Sequence, residues 1–343
     1  MTGVDAVTGA APAAARAAAG PGGPAPVLDV QGLSVRFLLG RGGRRGIVAA
    51  VTDVGFALRP GRVLVLVGES GCGKSVLASA LLGLLPANAQ VRGRALLTVP
   101  GLPERDLLAA PERELATQVR GRVIGLVPQS AASHLTPVRT AGAQLAEAVR
   151  TLRSGAAVNA LVTGLAERVS LPIDALQRFP HELSGGMAQR VTVALALAGD
   201  PAVVLADEPT IGLDRPLVDR TVDLLARLAS DEGRAVLLIT HDLRAARRVA
   251  TDVAVMYASR LVEVGPADAV FSDPRHPYTA GLLGALPSGG FRPVPGHPPE
   301  LTALPAGCGF RPRCPVFGDG GCSNDPALVR CGDRFVACRR PPC

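Results

Sequence analysis

One eight-residue segment, Gly68–Ser75, constrains the fold of this chain more than any other feature. Its residues, Gly-Glu-Ser-Gly-Cys-Gly-Lys-Ser, fit the pattern G-x-x-x-x-G-K-[ST]. The sequence predicts an apolar strand over Arg62–Val67 before it and an apolar helix over Ser75–Leu85 after it. A strand, a glycine-rich loop and a helix in that order open a phosphate-binding α/β domain.

The whole segment is predicted to bind the phosphates of a nucleotide. The glycines let backbone amides point at phosphate oxygens, and the helix presents its positive N-terminus. The residues expected to contact the nucleotide are Gly68, Glu69, Ser70, Gly71, Cys72, Gly73, Lys74 and Ser75.

The cation of this segment, Lys74, is the one lysine among 36 basic residues. An ammonium is a compact point charge, whereas a guanidinium is a broad planar fork. Only the compact group fits inside a loop that wraps a phosphate, so lysine at this position supports the phosphate-binding interpretation. We expect Lys74 to reach the β- and γ-phosphates of a nucleotide, and the Ser75 hydroxyl to coordinate Mg²⁺.

Two carboxylates, Asp207 and Glu208, directly follow an apolar run, Val203–Ala206. On its own, this pattern equally fits a strand that ends in an acidic turn. Together with a phosphate loop it predicts a ligand site, because ligands bind at the carboxyl ends of strands in α/β proteins. Asp207 suits the Mg²⁺ shell, and Glu208 suits a general base that orients and polarises an attacking water.

A second segment, Leu183–Arg190, also begins a predicted helix. Ser184 is a good N-cap, and the two glycines that follow it allow the close approach of an anion. An ordinary capped helix is the alternative interpretation. Because the chain has one phosphate loop, a second phosphate-binding helix start predicts contact with a nucleotide held by a different subunit.

The composition divides the chain into three parts. Residues 1–26 are mostly Ala, Gly and Pro and are expected to form a disordered tail. Residues 27–286 contain continuous apolar strands alternating with helices, which predicts a mostly parallel sheet covered on both faces, with a helical subdomain over about 130–195. Residues 287–343 are rich in Pro, Gly and Cys and are expected to form a small Cys-rich C-terminal module.

The charge and hydropathy patterns restrict the location and partners of the protein. The net charge is +7, but the arginines are scattered and lack neighbouring aromatic residues that could stack on bases, so we expect no nucleic acid partner. No apolar run approaches the roughly 20 residues of a membrane helix, and no signal peptide is evident. We therefore expect a cytoplasmic protein, and any transport pore must come from other chains.

Several motifs together resemble one family. The signature Leu-Ser-Gly-Gly-x-x-Gln separates ABC-type ATPase subunits from other phosphate-loop proteins, and the chain resembles that family from about Val27 to Pro287. The segments that carry the resemblance are Gly68–Ser75, Gln129, Leu183–Gln189, Leu205–Glu208, Asp214 and Thr240–Asp242. The resemblance implies an ABC-type nucleotide-binding domain, with an antiparallel β-subdomain and a helical subdomain beside the main sheet.

Other segments are similar to the oligopeptide/dipeptide/nickel importer branch of the family. They are Pro180–Met187, Ile239–Leu243, Val255–Ala258, His276–Thr279 and Gly307–Cys314. The resemblance implies a subunit that hydrolyses ATP to energise an importer of di- or oligopeptides. The same role for nickel or a metal chelate is an alternative.

Roles for further residues also follow from the resemblance. Gln129 would sense the γ-phosphate and Mg²⁺ and link the site to the membrane subunits. His241 would contact the γ-phosphate, and Asp214 would lie at the dimer seam. Ser184 and Gly186 would complete the ATP site of the partner subunit.

Phe37 is a candidate for stacking on adenine, although a strand phenylalanine is more often part of the core. The sequence departs from the branch at Pro128, Ser130–Ala131, Ala188 and Gly212. None of these positions handles phosphate, metal or water. The departures therefore concern the fit to particular permease and partner subunits more than ATP hydrolysis.

The implied assembly contains two transmembrane permease subunits, a second ATPase subunit, and an external substrate-binding protein acting through the permeases. The second ATPase subunit is expected to be a homologue, and a second copy of this chain is the alternative. The chain would lie peripherally at the cytoplasmic face of the cell membrane. A soluble ABC ATPase of DNA repair or ribosomes predicts two nucleotide domains or a coiled-coil insertion, and the sequence has neither. A regulatory subunit without turnover predicts erosion of Glu208 or His241, and neither is eroded.

Four cysteines, Cys308, Cys314, Cys322 and Cys338, have the spacing C-x5-C-x7-C-x15-C; Cys331 and Cys343 are additional. A reducing cytosol disfavours disulfides, and zinc sites usually contain closely paired cysteines, which are missing here. Iron–sulfur clusters tolerate wider spacing. The family resemblance points to a [4Fe–4S] cluster held by these four residues, with zinc and unligated thiols as alternatives.

Overall fold

The computed structural model describes residues 24–40, 46–155, 157–317, 322 and 324–338. All but the last three residues of the predicted N-terminal tail lie outside the described residues. Within the described part of the chain, no helix has both the length and the apolar composition needed to cross a bilayer.

The strands form two sheets. In chain order they are β1 (Leu28–Leu39), β2 (Gly46–Leu58), β3 (Val63–Val67), β4 (Ala89–Leu97), β5 (Arg105–Asp106), β6 (Ile124–Val127), β7 (Val203–Asp207), β8 (Ala235–Ile239), β9 (Asp252–Tyr257), β10 (Arg260–Pro266), β11 (Val329–Cys331) and β12 (Arg334–Val336). The larger sheet has the order β11-β12-β10-β9-β3-β8-β7-β6, and the smaller has the order β2-β1-β4-β5.

The α-helices are α1 (Lys74–Leu81), α2 (Glu112–Glu114), α3 (Ala131–His134), α4 (Ala141–Leu152), α5 (Val158–Arg168), α6 (Gly185–Leu197), α7 (Arg215–Ser230), α8 (Leu243–Val249), α9 (Ala267–Ser272) and α10 (Pro277–Gly284). Short 3₁₀ turns lie at Ile173–Gln177, Pro180–Glu182, Pro287–Gly289 and Arg311–Arg313, and a π turn lies at Leu115–Val119. Helix α1 ends four residues before its predicted end, two residues ahead of Gly83, whose φ is +64°.

Strands β9, β3, β8, β7 and β6 are parallel neighbours in the larger sheet. Every residue of β3 and of β8 is buried, as expected for parallel strands covered on both faces. The pairing of Leu66 with Ile239 and of Asp207 with Ile239 aligns the carboxyl ends of β3, β7 and β8. The phosphate loop, Glu208 and Thr240 therefore leave the sheet at one common edge.

Two buried clusters cover the two faces of this sheet. One contains side chains of the helices, such as Leu145 of α4, Val191 of α6 and Leu225 of α7. The other joins the antiparallel sheet β2-β1-β4-β5 to α1 and the opposite face, and includes Phe56 and Leu77. The antiparallel subdomain predicted from the family resemblance is thus present, and helices α4, α5 and α6 pack together.

The C-terminal segment joins the main sheet. Strand β12 pairs antiparallel with β10 and with β11. Phe310 is buried in the helix-side cluster, and Phe335 is buried in the opposite cluster. The part of this segment that the structure describes is therefore continuous with the ATPase core, although a small module of its own was expected. The boundary at residue 287 stays a prediction.

Candidate nucleotide-binding and hydrolysis site

The phosphate loop needs glycine at two positions for steric reasons. A Cβ at Gly68 would lie 2.2 Å from the carbonyl oxygen of Met256, and one at Gly73 would lie 2.0 Å from that of Ala50. Gly73 also has a φ of +110° and is the N-cap of α1. Because both glycines pack against backbone atoms of neighbouring strands, the loop has a fixed path and α1 begins directly behind it.

The tip of the loop, Ser70 and Gly71, is exposed and turns the chain back toward α1. The tight packing at Gly68 and Gly73 does not extend to this tip, since a Cβ at Gly71 would meet no described atom within 4 Å. Gly71 instead has a φ of +81°, a conformation that favours glycine. The predicted contacts of Ser70 and Gly71 with the nucleotide stay predictions.

Cys72 differs from its neighbours in the loop because its side chain is 5% exposed and belongs to the core cluster that includes Leu77. Its amide donates to the carbonyl oxygen of Glu69 at 3.4 Å, which closes the turn at the tip. The thiol is thus part of the core. Any contact of Cys72 with a nucleotide would be made by its backbone, and this contact also stays a prediction.

Lys74 is only 6% exposed, and its ammonium is held by the loop itself. Its Nζ donates to the carbonyl oxygens of Gly68, at 2.9 Å, and Glu69, at 3.1 Å. It lies 4.0 Å from Oε1 of Glu208. The ammonium therefore sits where the loop closes, and phosphate oxygens can replace the carbonyls as its acceptors.

Ser75 and Asp207 meet across the edge of the sheet. The Ser75 hydroxyl donates to Oδ1 of Asp207 at 3.0 Å. Burial raises the pKa of Asp207, although this hydrogen bond opposes the rise. A hydroxyl and a carboxylate brought together beside a phosphate loop are oxygen ligands of the kind that Mg²⁺ takes, so the predicted pair fits that ion.

Glu208 and His241 form a pair beside Lys74. Glu208 is 6% exposed and has a φ of +47°, a left-handed conformation that is costly for a residue with a side chain. Its Oε2 lies 2.8 Å from Nδ1 of His241, whose side chain is 57% exposed. A carboxylate only accepts hydrogen bonds, so Nδ1 carries the proton and Nε2 is left as an acceptor in the neutral ring. The structure thus brings the predicted base and the predicted γ-phosphate contact together.

Three other predicted residues, Gln129, Ser184 and Asp214, lie in exposed positions. Gln129 follows β6 and is exposed. Ser184 is the N-cap of α6 and accepts a hydrogen bond from the amide of Met187. Asp214 is the N-cap of α7 and accepts from the amide of Leu217. Both helix starts, with their capping side chains, therefore face outward from the chain.

The two glycines of the signature segment differ in their surroundings. A Cβ at Gly186 would lie 2.8 Å from a methyl group of Leu217, so a larger residue there requires the Leu217 side chain to shift. A Cβ at Gly185 would meet only Leu213, at 3.6 Å. The sequence predicted that an anion could approach both glycines closely. Only Gly185 has open space beside it that would allow this.

Phe37 lies in β1, where it pairs with Val48 of β2 and Ala89 of β4. It is partly buried and packs against the cluster between the two sheets. These contacts account for an apolar residue at this position. Its stacking on adenine stays a prediction.

Two residues that sequence reasoning did not place at the site hold the start of the loop. The Glu69 carboxylate forms two hydrogen bonds with the Arg313 guanidinium, at 2.8 and 3.0 Å. The amide of Glu69 donates to the Tyr278 hydroxyl at 3.0 Å. Both partners belong to segments that had been noted only as marks of the importer branch. No spacing rule connects positions 244 and 209 residues apart.

Arg313 and Tyr278 are themselves fixed by an aromatic cluster. The ring centroids of Tyr257 and Tyr278 are 4.4 Å apart, and both rings contact Phe310. Burial acts to lower the pKa of Arg313, but hydrogen bonds to Glu69 and Tyr257 outweigh it and raise the pKa. Burial also raises the pKa of Tyr278, so both groups keep their protons at neutral pH.

His276 completes this support of the loop. It is 1% exposed, and its Nδ1 accepts a hydrogen bond from the amide of Tyr278 at 3.0 Å. Its own amide donates to the buried carboxylate of Glu263 at 2.9 Å. Burial lowers the pKa of His276 to about 4, so the ring is neutral at physiological pH.

The four cysteines predicted as ligands are each partly buried. The amide of Cys308 donates to the carbonyl oxygen of Cys322 at 3.3 Å. Burial raises the pKa of Cys308, and charges on Cys322 and Cys338 would raise it further. Thiols are the ligands that iron–sulfur clusters take, but no group of three or more His, Cys, Asp or Glu among the described residues is arranged to hold a metal ion. Cys331 is disulfide-bonded, contrary to the expectation of reduced cysteines.

Two protein-family models match the chain. The model of the ABC transporter matches residues 51–211, which include the phosphate loop, the signature segment and Glu208. The model of the oligopeptide/dipeptide transporter C-terminal region matches residues 262–322, which include Tyr278 and Arg313.

Curated relatives match most of the chain. A Brucella ovis protein named for peptide import is 41% identical over 306 residues, covering 84% of this chain and 89% of the relative. The oligopeptide transport ATP-binding protein OppD of Salmonella typhimurium is 39% identical and covers 92% and 94%. The protein of Escherichia coli named "Probable D,D-dipeptide transport ATP-binding protein DdpD" is 38% identical and covers 91% and 95%.

Solved structures of ATP-binding cassettes share the fold. The ATP-binding cassette MJ0796, solved as a dimer bound to ADP and Pi, superposes with a TM-score of 0.58 at 24% identity, covering 70% of this chain and 98% of that chain. A second dimeric structure of the same cassette gives a TM-score of 0.59. The predicted ABC-type nucleotide-binding fold is confirmed, whereas the small Cys-rich C-terminal module is not.

Proposed function

This chain belongs to the ABC transporter family, and from that premise we propose that it is the ATP-binding, ATP-hydrolysing subunit of a di- or oligopeptide importer. The observation that supports hydrolysis most strongly is the buried Glu208 carboxylate, which lies between Lys74 and His241. Peptide as the cargo is supported by the names of relatives that are 38–41% identical along most of their length.

The loop and its surroundings would hold the nucleotide. Backbone amides of Gly68–Ser75 and the N-terminus of α1 would bind phosphate oxygens, and Lys74 would exchange its carbonyl acceptors for the β- and γ-phosphates. Ser75 and Asp207, with Gln129, would hold Mg²⁺, which supplies neutralisation of phosphate charge. The half-exposed ring of His241 would contact the γ-phosphate through Nε2, which donates to a phosphate oxygen when the ring carries a proton on both nitrogens.

Glu208 would orient and polarise the attacking water. Its carboxylate is buried, and Oε2 is fixed by both the ring and the amide of His241. These contacts, together with the hydrogen bond from the Glu208 amide to the carbonyl oxygen of Ile239, hold the backbone of Glu208 in its strained conformation. A base held so rigidly beside the phosphate site fits general-base catalysis of hydrolysis.

The working unit would contain more than one chain. Ser184, Gly185 and Asp214 lie at exposed helix starts, where a second, homologous ATPase subunit could bring its own nucleotide. Two permease subunits would form the pore, and an external substrate-binding protein would deliver the peptide through them. Such a subunit would lie peripherally on the cytoplasmic face of the membrane.

The hydrolytic role is tested with Glu208→Gln. This variant should bind ATP as the wild type does, because the loop and Lys74 are unchanged. Its hydrolysis should fall by about 10²–10⁴-fold, the usual contribution of a general base. The matched control is Glu167→Gln on the exposed surface of α5. Wild-type hydrolysis by Glu208→Gln would refute the assignment.

The cargo is tested in cells. Deletion of the chain should abolish the uptake of labelled di- or oligopeptides, and expression of the wild type should restore it, whereas Glu208→Gln should not. Uptake of nickel should be unaffected. Loss of nickel uptake with normal peptide uptake would refute the peptide proposal and support import of nickel instead.

We also propose that Cys308, Cys314, Cys322 and Cys338 bind an iron–sulfur cluster, of the [4Fe–4S] type that the family resemblance implies. Four partly buried thiols in one segment, with the backbone amide of Cys308 donating to the carbonyl oxygen of Cys322, support this. Protein purified without oxygen should be brown and contain iron and acid-labile sulfide, and Cys308→Ser should lose both. Colourless protein containing zinc, or no metal, would contradict the proposal.

A further inference from the structure

The phosphate loop contains one acidic side chain, and that side chain opposes the binding of an anion. Glu69 is the second residue of Gly68–Ser75, a loop whose other side chains are neutral or cationic. A nucleotide brings several negative charges to such a loop, and like charges repel more strongly in a partly buried site than in water. An uncompensated carboxylate at this position would therefore weaken ATP binding.

The charge of Glu69 acts on the side chain of a neighbouring loop residue, Cys72. Burial raises the pKa of the Cys72 thiol, and the charge of Glu69 raises it further, while Lys74 acts in the opposite direction. The Glu69 side chain is 26% exposed, so solvent screens it only in part. The Glu69 carboxylate therefore acts on a neighbouring group of the loop.

Arg313 compensates this charge with a fixed geometry. Its side chain is 5% exposed and forms two hydrogen bonds with the Glu69 carboxylate, at 2.8 and 3.0 Å. The same guanidinium donates to the carbonyl oxygens of Pro295, at 2.8 Å, and Val294, at 3.3 Å. A planar group anchored on several sides neutralises a carboxylate without needing to move when a ligand arrives.

We infer that Arg313 is a positioning residue for nucleotide binding, which neutralises Glu69 and holds it outside the phosphate cradle so that the loop can accept ATP. The inference rests on the proposed ATP-binding function. It also makes nucleotide affinity depend on the C-terminal segment, because Arg313 lies between Phe310, in the core, and Cys314.

Electrostatic neutralisation predicts opposite effects for the two partners. Arg313→Gln leaves an unpaired carboxylate in the loop and should weaken ATP binding about tenfold, within the usual range of coupling between sites. Glu69→Gln removes the opposing charge and should leave ATP binding unchanged or tighter. The double variant should bind ATP much better than Arg313→Gln, because its loop holds no carboxylate. A clamp that acted only by shape would weaken binding in both single variants and in the double variant.

The experiment is an ATP titration of the purified full-length chain, with the Kd, KM and kcat measured for each variant at low and high salt. For Arg313→Gln the loss should appear in Kd and KM, with little change in kcat at saturating ATP. It should shrink at about 1 M salt, where the screening length falls to about 3 Å. Arg311→Gln is the matched control, because Arg311 is exposed, lies two positions away and contacts the Phe317 ring.

Two results would overturn the inference: wild-type affinity in Arg313→Gln, or affinity in the double variant as weak as in Arg313→Gln alone. If thermal unfolding shows that Arg313→Gln does not fold, Glu69→Gln decides alone, and weaker ATP binding by that variant contradicts the inference. Failure of the wild type to bind ATP, with no difference between wild type and Lys74→Ala, would instead refute the proposed function.

Discussion

The two ends of the phosphate loop are held by different kinds of contact. At the carboxyl end, the ammonium of Lys74 donates to carbonyl oxygens of the loop itself. At the amino end, Glu69 is held by Arg313 and Tyr278, from the last third of the chain. The first set of contacts can be exchanged for ligand oxygens, whereas the second is packed against an aromatic cluster and is expected to persist.

We therefore expect the carboxyl end of the loop to serve ATP hydrolysis and the amino end to stabilise the loop. Substitutions at the carboxyl end should remove turnover and leave the folded state intact, because Lys74 has only two hydrogen bonds to the loop and a 4.0 Å ion pair with Glu208 to lose. Substitutions of Arg313 or Tyr278, which hold the amino end, should lower stability and affinity together, because they leave polar groups of Glu69 without partners. The predictions below test this contrast, beginning with the largest effect.

Lys74→Ala should lower ATP hydrolysis by about 10²–10³-fold, the usual cost of removing one donor to transition-state charge. The free energy of unfolding should change little, because the ammonium is replaced by space that water can fill. Steady-state ATPase assays and chemical denaturation measure the two quantities. A large loss of stability would show that the carboxyl end is structural as well.

Lys74→Arg is the informative companion variant. It keeps the charge but places a planar fork where the loop closes around a compact ammonium. Hydrolysis should therefore remain strongly impaired. Wild-type activity in this variant would contradict the steric explanation for lysine at this position in a chain that otherwise uses arginine.

The amino end should be sensitive to acid through His276. Its pKa is lowered by burial from 6.5 to about 4, so the unfolded chain binds a proton that the folded chain does not between these values. The stability contribution is therefore fully present above about pH 6.5 and is lost as the pH falls toward 4, by up to about 3 kcal/mol. Denaturation curves measured from pH 7.5 to 4 should show this decline.

The control for the acid effect is His276→Asn, whose side-chain oxygen can accept the same bond from the Tyr278 amide but does not titrate. The variant should show a flatter dependence of stability on pH over this window. Glu263 accepts a hydrogen bond from the His276 amide and pairs with Arg334. Both residues are unchanged in the variant, so they contribute equally to the pH dependence of the two proteins. An unchanged pH dependence would show that other groups dominate acid unfolding.

The residues around the carboxyl end of the loop could be predicted from sequence because short, continuous segments mark them. Apolar runs placed β3 and β7 within a residue of their observed bounds, and parallel strands bring their carboxyl ends to one edge. Glu208 and Asp207 were therefore expected beside Lys74 and Ser75. Local patterns also predicted the cap Ser184, since capping depends on the next three residues.

The amino end could not be predicted, because its contacts join residues 209 and 244 positions apart. Strands β11 and β12 are three residues each and have no apolar run to mark them, so their pairing with β10 depends on tertiary packing. The reason for Gly186 was also hidden, since Leu217 contacts it only after α6 and α7 pack. Family motifs identified these segments without indicating their contacts.

The smallest predicted effect concerns Tyr278→Phe. This variant keeps the ring in its cluster but removes the hydroxyl that accepts the Glu69 amide. One hydrogen bond of this kind contributes about 1 kcal/mol, so the free energy of unfolding should fall by about that amount and ATP affinity by a few-fold. Tyr257→Phe is the matched control, because its hydroxyl has only a 3.4 Å contact with Arg313. Equal losses in the two variants would mean that ring packing, rather than the bond to Glu69, supports the amino end of the loop.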